Sequence, residues 1–573
     1  MRVIVTAGHV DHGKSTLVRR LTGMEPDRWA EERRRGLTID LGFAWTRIGG
    51  EDVAFVDVPG HERFVPNMLA GAGPAPAVLF VVAADEGWMP QSAEHLAALD
   101  AFGVSRGLLV VTKADRADPG AATEAARHEI ARTSLGAVPS VAVSAATGAG
   151  LDELRAAISA LTGGLPPPDP DADVRLWIDR AFTVSGAGTV VTGTLAAGTV
   201  AVGDELLLGR TRVKVRGLQA LGEPRDRVAA VARVAVNLRG TARGDTGRGD
   251  VLLTPGRWLT TAEFDVRLRG AAAADLHRNL VLHFGTAALP VRVRPLGTDT
   301  ARLTTATALP LRAGDRGLVR DPGEHRIAAG FDVLDVRPPP LTRRGAARAR
   351  AAELAGPDLA GTFLRRTGFV RAADLAAMGL PETGQRVGEW LADPARLAGL
   401  RAEAVALVGS WDAVSAGMPV EALRRRLGLP APELVAPLLA GTGLDVAGGL
   451  VRRPGGLAPA VEKALETVEE ALAEHPFRAP EADELRALGL GRRELAAAVR
   501  LGRLTAVADG VVLGPDAEER AVARLRRLPQ PFTVSAARRA LDSTRRVMIP
   551  LLERLDAAGR TEPLGDGTRR TRG

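Results

Sequence analysis

The chain has 573 residues, 46% of them hydrophobic, with a formal net charge of +7 and no cysteine. This length predicts about three to six domains, each with its own core. The lack of cysteine excludes a disulfide framework and a thiolate metal site. The sequence contains no uncharged apolar run of about 18 residues, so no membrane span is predicted. Because the first residues lead at once into a motif, we expect no signal peptide and a soluble, cytoplasmic monomer.

The first motif lies between a predicted strand and a predicted helix. An apolar run at 3–7 predicts a buried strand, GHVDHGKST follows at 8–16, and a helical segment continues over 17–21. A GxxxxGKS pattern in this context predicts a phosphate-binding loop, in which backbone N–H groups surround the phosphates. Lys14 would reach the β and γ oxygens, and Ser15 would bind Mg²⁺. The predicted nucleotide-binding residues of this loop are Gly8, His9, Val10, Asp11, His12, Gly13, Lys14, Ser15 and Thr16.

Two segments that would respond to the γ-phosphate follow in the order that a GTPase requires. Thr38, in Gly-Leu-Thr, is placed to close over Mg²⁺ and the γ-phosphate. Asp57, after the apolar strand at 53–56, would hold Mg²⁺ through a water molecule, and the Gly60 amide would sense the γ-phosphate. His61 would position the attacking water and is the predicted catalytic residue. Such segments order with GTP and relax after hydrolysis.

A guanine pocket is predicted at the ends of two further buried strands. Asp115 can accept two hydrogen bonds from the guanine N1–H and exocyclic amine, a pattern that adenine cannot satisfy. The Lys113 stem can pack on the ring, the Ala145 amide can face O6, and Thr112 stands where Asn is more usual. GTP or GDP with Mg²⁺ is therefore the expected cofactor. The predicted guanine-binding residues are Thr112, Lys113, Asp115, Ser144 and Ala145, whereas no catalytic or metal role is assigned to His9, His12 or His95.

Two β-barrels are predicted after a proline-rich linker at 165–170. Short alternating strands with Gly-rich turns begin there, and a second such block runs over 259–336. The predicted fold class is multidomain, with an α/β P-loop GTPase domain, two β-barrels and tandem α+β winged-helix domains. The predicted bounds are 1–168 for the GTP-binding domain, 172–256 and 257–340 for the barrels, and 345–573 for the winged helices.

Four weakly similar helix-turn-helix units are predicted in residues 345–573. Their turn sequences MGLP, LGLP, LGL and LDS begin at 378, 427, 488 and 541, so they recur every 49 to 61 residues. Second helices such as 433–439 and 544–558, followed by turn or strand residues, are typical of winged-helix modules. The second unit is short before Met418, which leaves two alternatives open: a truncated first helix or a different boundary. The predicted units are 345–409, 410–456, 457–515 and 516–573.

The last unit is the predicted RNA-binding element. Residues 520–573 contain 13 arginines and 5 acidic residues, a balance that favours a phosphate-backbone partner over a solvated surface. Arginines can fork onto phosphates or stack on an unpaired base in a hairpin loop. The predicted RNA-binding residues are Ser543, Thr544, Arg545, Arg546, Arg569 and Arg570, with Arg572 in the wing or tail.

The sequence resembles the translational GTPases of the elongation factor Tu type over residues 1–340, on GHVDHGKST, RGLTI at 35–39, DVPGH at 57–61 and the two barrels. The switch at 27–43 and the barrel motif at 178–193 resemble the selenocysteine-specific elongation factor (SelB) family. The resemblance implies that the protein delivers selenocysteinyl-tRNA to the ribosome at UGA codons. It also implies that the C-terminal extension binds a selenocysteine insertion hairpin in mRNA and that the ribosome activates His61.

The resemblance further implies an aminoacyl pocket formed by Asp179, Arg180 and Arg248. A selenol is ionised at neutral pH where a serine hydroxyl is not, so a cationic pocket would discriminate by charge. A structural salt bridge is the alternative role for these residues. Two other functions stay open: a general elongation factor Tu-like or initiation-factor-like GTPase without recoding, and a transcription regulator whose winged helices bind DNA.

Overall fold

The structure is a computed structural model that describes residues 1–26, 38–61, 64–73, 76–184, 188–241, 244, 246–411, 417–453, 457 and 459–572. The predicted switch at 27–43 therefore lies outside the described residues over 27–37, which include Gly36 and Leu37. The chain divides into two compact units, Met1–Phe363 with Arg371–Thr383 and Leu364–Val370 with Gly384–Gly573. Within the described part of the chain, no helix combines the length and apolar character needed to cross a membrane.

The first domain is a six-stranded sheet in the order β2-β3-β1-β4-β5-β6, in which only the β2–β3 pair is antiparallel. The central strands are continuous apolar runs because helices cover both faces of the sheet. Such sheets bind ligands at the carboxyl ends of their strands. The strands are β1 Arg2–Ala7, β2 Gly42–Ile48, β3 Glu51–Asp57, β4 Val78–Ala83, β5 Gly107–Thr112 and β6 Ser140–Ala142; the helices are α1 Lys14–Thr22, α2 Val65–Ala72, α3 Pro90–Phe102, α4 Pro119–Ile130 and α5 Leu151–Gly163.

The first barrel closes because β10 pairs with β11 as well as β15, which completes the ring β10-β15-β7-β8-β14-β11. Its strands alternate inward apolar and outward polar residues around one core. The register of β7 against β8 shifts between Ile178 and Arg180, so Asp179 lies in a bulge. The strands are β7 Arg175–Val184, β8 Gly188–Leu195, β9 Thr199–Ala201, β10 Glu205–Leu208, β11 Thr211–Ala220, β12 Glu223–Arg225, β13 Arg227–Ala229, β14 Ala232–Arg239 and β15 Val251–Leu253.

The second barrel is closed in the order β16-β19-β18-β17-β20-β21. Helix α6 (Ala346–Leu354) belongs to the same compact unit, and its buried Arg350 forms ion pairs with Asp265 and Asp335 of the barrel. This helix lies within the range predicted for the first winged helix, yet buried charge attaches it to the barrel. The strands are β16 Thr260–Arg269, β17 Asn279–Phe284, β18 Ala287–Pro295, β19 Thr300–Pro310, β20 Arg316–Asp321 and β21 Arg326–Asp335, with a 3-10 turn at Ala273–Asp275.

Four small sheets, each accompanied by short helices, make up the C-terminal extension. Helix α9 (Pro394–Gly409), which ends at the predicted boundary at 409/410, shares one core with Val387 and Ala392 before it and with the helices and strands of 418–451 after it, so this core continues across the boundary. The multidomain fold class is confirmed. The remaining elements are α7 Leu359–Thr367, β22 Phe369–Arg371, α8 Ala372–Ala377, β23 Gln385–Val387, β24 Trp390–Ala392, β25 Met418–Pro419, α10 Val420–Arg426, a 3-10 turn Pro432–Leu434, α11 Val435–Leu439, β26 Asp445–Ala447, β27 Leu450–Arg452, α12 Pro459–Glu474, α13 Ala482–Ala487, α14 Arg492–Arg500, β28 Thr505–Ala508, β29 Val511–Leu513, α15 Ala517–Leu525, β30 Phe532–Thr533, α16 Val534–Ala540, α17 Arg545–Ala557, β31 Thr561–Pro563 and β32 Thr568–Thr571.

Candidate functional site

The predicted phosphate-binding loop joins the end of β1 to the start of α1. Gly8 has φ 132°, and a Cβ atom there would lie 2.1 Å from the Val81 carbonyl oxygen, so only glycine fits. Gly13 has φ 82° and forms the N-cap of α1. This backbone turns the N-terminus of a helix toward the loop, which is the arrangement that binds phosphates. All nine predicted residues, 8–16, are described by the structure.

Lys14 is the buried cation of the loop. Its Nζ donates hydrogen bonds to the carbonyl oxygens of Gly8, at 3.0 Å, and His9, at 2.6 Å. Burial lowers the pKa of Lys14 to about 8, while the negative charges of Asp57 and Asp11 oppose that shift. An anion bound at the loop would favour the charged form of this amine.

Three oxygen-bearing side chains predicted to act on Mg²⁺ meet beside the loop. The Ser15 hydroxyl donates a hydrogen bond to Asp57 Oδ2 at 2.6 Å, and Ser15 Oγ lies 2.9 Å from Thr38 Oγ1. Asp57 is fully buried, and its other oxygen accepts a hydrogen bond from Thr6 at 2.7 Å. Carboxylate and hydroxyl oxygens are the ligands that Mg²⁺ prefers, so the residues present fit that ion.

Gly60 follows Asp57 closely in the chain and approaches the phosphate loop, and His61 is the next residue. A Cβ atom on Gly60 would lie 2.6 Å from both Lys14 Nζ and the Val10 nitrogen, so the bare backbone is needed for this approach. The His61 ring is partly exposed, and its centroid lies 6.0 Å from that of Phe64. His61 therefore directly follows the residue that touches the phosphate loop, and its ring is within reach of solvent.

The predicted guanine pocket is assembled at the ends of β5 and β6. Asp115 is exposed, and its hydrogen bond with the buried Ser144 lowers its pKa, which favours the ionised carboxylate. Burial by itself lowers the pKa of Lys113. Its hydrogen bonds to Glu86 and Asp85 favour the charged form and outweigh burial, so the net effect raises the pKa of Lys113. Ala145 follows Ser144 and is partly buried.

Thr112, the departure from the usual Asn, has a structural partner. Its hydroxyl donates a hydrogen bond to the His12 carbonyl oxygen at 2.7 Å. The residue thus ties the guanine segment to the phosphate loop. His12 itself is fully buried, and desolvation lowers its pKa to about 4, so it packs as a neutral ring.

The bulge in β7 gives Asp179 a partner that the sequence analysis missed. Arg233 on β14 forms a two-pronged ion pair with Asp179, one arm donating to Oδ1 at 2.6 Å, and the Thr192 hydroxyl donates to the same oxygen at 2.8 Å. Asp179 is thus engaged in the structural salt bridge that was the alternative to a pocket role. The available signal was an arginine near the start of the predicted strand ARVAVNLR.

The other two predicted pocket arginines contact the segment just after Thr38. Arg180 donates to Asp40 Oδ2 at 3.2 Å and to the Leu41 carbonyl at 3.1 Å. Arg248 donates to the Asp179 carbonyl at 3.0 Å and also binds the side chains of Asp40 and of Asn67 on α2. Burial raises the pKa of Asp40, but the bonds from Arg248 outweigh it and the net shift is downward. Both arginines therefore join the first barrel to the GTP-binding domain.

A cavity of about 160 Å³ lies between β2 and β3 of the first domain and the first barrel. The guanidinium carbon of Arg233 stands 3.7 Å from the centroid of the Phe43 ring, and that of Arg180 stands 5.6 Å away. Of the three predicted pocket residues, Arg180 alone is among the residues that line this cavity. The cavity wall includes Phe43, Trp45, Arg180, Phe182, Thr192 and Arg233.

Residues 1–163 match the family model for the elongation factor Tu GTP binding domain, and residues 523–570 match that for the elongation factor SelB winged helix. Elongation factor Tu 2 of Streptomyces avermitilis is 34% identical over 298 residues, which cover 46% of the chain and 75% of that relative. The chain belongs to the elongation factor Tu family of translational GTPases.

Within this family, the similarity to SelB factors is confirmed. The selenocysteine-specific elongation factor of Escherichia coli is 40% identical over 353 residues, which cover 60% of the chain and 56% of that relative. The chain spans about half the length of the curated selenocysteine-specific relatives that it matches by sequence. The crystal structure of a bacterial selenocysteine-specific elongation factor, EF-Sec, matches with a TM-score of 0.71 at 25% identity and covers 100% of each chain.

The predicted RNA-binding residues of this SelB-like extension divide into two groups. Ser543 donates to the Phe477 carbonyl at 2.6 Å, Arg546 donates to the Ala479 carbonyl at 3.1 Å, and Arg569 pairs with Asp556 at 2.9 Å. These three side chains serve contacts within the extension. The exposed members, which are open to a ligand, are Thr544, Arg545 and Arg570.

Proposed function

We propose that this protein is a selenocysteine-specific elongation factor. It binds GTP and selenocysteinyl-tRNA, delivers the tRNA to the ribosome at UGA codons, and binds a selenocysteine insertion hairpin in mRNA through its C-terminal winged helices. The observation that carries the proposal is the cavity beside Arg180 and Arg233, which lies between the first barrel and a GTP-binding domain of the elongation factor Tu type. The protein would act as a monomer in the cytoplasm.

The GTP site would work by positioning and charge. Lys14 and the loop amides would bind the phosphates, and Asp115 would read guanine. Ser15, Thr38 and, through water, Asp57 would hold Mg²⁺, which neutralises phosphate charge when bound. His61 would orient the water that attacks the γ-phosphate, giving GDP and phosphate, with the ribosome bringing the ring to its productive position.

The selectivity for selenocysteine would rest on charge. A selenolate is anionic at neutral pH, whereas a serine hydroxyl is neutral, so two guanidinium groups at a cavity wall attract one and not the other. Asp179 holds Arg233 in place through its ion pair. The charge of Arg180 is less compensated than that of Arg233, because Asp40 contacts Arg180 with a single oxygen. Arg248, which has three protein acceptors and lies outside the cavity wall, is better suited to joining domains.

The mRNA hairpin would contact the exposed side chains at the start of α17 and in the last wing. Thr544 and Arg545 precede and open that helix, whose N-terminus favours phosphate, and Arg570 lies on β32. The phosphate backbone would supply most of the affinity, which makes binding sensitive to salt.

The testing experiment measures binding of the GTP-loaded protein to selenocysteinyl-tRNA and to the same tRNA carrying serine. We expect a strong preference for the selenocysteinyl form, reduced at least about tenfold in Arg180→Met and Arg233→Met. Arg248→Met is the matched control and should keep the preference while altering the response to nucleotide. Equal binding of the two tRNAs by the unmodified protein would reject the proposal and favour a general elongation or initiation factor.

A second measurement separates RNA from DNA as the ligand of the extension. Binding to an mRNA hairpin but not to duplex DNA of equal length supports recoding. The reverse preference would favour a transcription regulator.

A further inference from the structure

We propose that His277, Asp321 and Glu324 form a binding site for a divalent transition-metal ion, with zinc as the best fit, on the second barrel. His277 precedes β17, Asp321 ends β20, and Glu324 lies in the turn that leads to β21. The inference goes beyond the proposed function, because these residues belong neither to the nucleotide site nor to the aminoacyl pocket nor to the RNA-binding extension.

The three side chains bring one potential ligand atom each to a common point. A ring nitrogen of the histidine and one oxygen of each carboxylate all lie within 4.8 Å of one another. His277 Nδ1 is 3.6 Å from Asp321 Oδ2. Two ligands bound to zinc at about 2.1 Å in tetrahedral geometry lie about 3.4 Å apart, so this pair already has nearly the required spacing. Among the residues that the structure describes, no other three such side chains come this close together.

Asp321 is the fixed member of the group and gives a second, independent indication of a ligand. It is 5% exposed, and its Oδ1 accepts hydrogen bonds from the backbone N–H groups of Gly323, at 2.8 Å, and Glu324, at 3.1 Å. Within the described chain, its Oδ2 accepts no hydrogen bond, since the 3.6 Å to His277 is too long for one. Buried carboxylates are normally paired or coordinate a metal. The oxygen that lacks a donor is the one that faces His277.

His277 and Glu324 can close around an ion because both side chains are exposed, by 64% and 47%. Small rotations of these side chains would bring their ligand atoms to the ion while Asp321 stays in place. Glu324 pairs with Arg326, so this arginine would compete with the ion for the carboxylate. Two carboxylates beside one arginine leave an excess of negative charge when the imidazole is neutral, and the neutral imidazole is the form that binds metals.

The donor set determines the class of metal. Mg²⁺ and Ca²⁺ prefer sets made of oxygen atoms alone, whereas an imidazole nitrogen suits zinc and similar transition metals. One imidazole and two carboxylates leave a fourth position for water, as in many zinc sites with three protein ligands. A bound ion would join the segment before β17 to the β20–β21 turn, at one end of the paired strands β17 and β20. It would therefore stabilise this part of the barrel.

The test titrates zinc into the full chain in excess Mg²⁺ and measures the zinc affinity by competition with a fluorescent zinc indicator. We expect one tightly bound ion per chain, and at least about tenfold weaker binding by His277→Asn and by Glu324→Gln. Arg326→Gln should strengthen binding about threefold, because it removes the competing ion pair, and an exposed pair is weak. His325→Asn, which replaces an exposed histidine of the same turn, is the matched control and should keep the original affinity.

Two results of the titration would overturn the proposal. One is the absence of stoichiometric zinc binding by the unaltered chain. The other is equal zinc affinity of His277→Asn and His325→Asn, which would show that the imidazole of the proposed site is not a ligand.

The location of the ion is tested by amide hydrogen exchange of the full chain with and without zinc. We expect zinc to slow exchange at 277–279 and 321–326 in the unaltered chain, since an ion that binds only the folded form stabilises the segments that it joins. The same zinc concentration should leave these amides unchanged in His277→Asn. Protection confined to other segments would overturn the site, and equal protection by Mg²⁺ or Ca²⁺ would overturn the assigned class of metal.

Discussion

Replacing Arg350 by methionine should detach helix α6 from the second barrel. The guanidinium is 3% exposed, donates to Asp265 Oδ2 at 2.8 Å and to Glu353 at 2.8 Å, and also pairs with Asp335. Asp265 has no exposed surface. Removing one partner of a buried ion pair typically costs about 3 to 5 kcal/mol, because the remaining charge is left uncompensated.

The second arginine on Asp265 moderates this cost. Arg302 donates to Asp265 Oδ1 at 2.7 Å and to Oδ2 at 3.2 Å, so the carboxylate keeps one ion pair in the variant. We therefore expect the lower end of the range, about 3 kcal/mol. Because a chain with several domains does not unfold in two states, a local measurement is required.

Amide hydrogen exchange in α6 of the full chain is the suitable assay. A local loss of about 3 kcal/mol corresponds to roughly 100-fold faster exchange of the amides that open with this helix. Arg348→Met, an exposed arginine on the same helix, is the control and should leave exchange unchanged. Equal exchange in Arg350→Met and Arg348→Met would refute the argument that buried charge attaches α6 to the barrel.

Three further outcomes are expected. Asp115→Asn should weaken GDP binding at least about tenfold and improve xanthosine diphosphate binding, since the amide can donate to the xanthine oxygen; competition between the two nucleotides measures this. Arg545→Gln should lower the slope of log affinity for the mRNA hairpin against log salt by about 0.7 to 0.9, whereas Arg546→Gln should mainly lower the melting temperature. Burial lowers the pKa of His283 to about 4, so between about pH 6.5 and pH 4 the unfolded chain binds a proton that the folded chain excludes. The stability of the folded chain should therefore decrease as the pH is lowered from 6.5 to 4. Thermal unfolding should show a smaller decrease in His283→Gln.

The nucleotide site could be predicted because its determinants are local. Lys14 and Ser15 follow β1 through the phosphate loop, Asp57 ends β3, and the carboxyl ends of these neighbouring parallel strands meet at one edge of the sheet. The departure at Thr112 left base recognition less certain from sequence. Its bond to the phosphate loop spans 100 residues, which no local pattern reveals.

The pairing partners of the aminoacyl-pocket candidates could not be predicted from local sequence patterns. Asp179 and Arg233 are 54 residues apart and meet only because of the register of three strands and a bulge in one of them. In the last winged helix, Arg546 follows Arg545 directly, yet one is engaged within the extension and the other is exposed. Composition gives the charge of a segment but does not indicate which of its arginines the fold itself uses.

The boundary of the second winged unit is difficult to predict for a different reason. The signals for helix α9 were present, since Asp393 caps it through the Arg396 amide and Pro394 occupies its first turn. They were assigned to the preceding unit because the spacing of the turn sequences set the boundary. Leu397 and Leu400 belong to a core that also contains Ala392 before the helix and Leu423 after it, and the spacing of turn sequences does not reveal such a shared core.

Arg248 joins the first barrel to two separate segments of the GTP-binding domain. One arm binds Asp40, two residues after Thr38, and another binds Asn67 on α2, while Asn67 donates to the Ile39 carbonyl at 2.8 Å. Arg248 can make both side-chain contacts only when both segments are in position, and displacement of either segment removes one of the two contacts. A single side chain thus couples the first barrel to the segment after Thr38 and to α2, two parts of the domain that are far apart in the sequence.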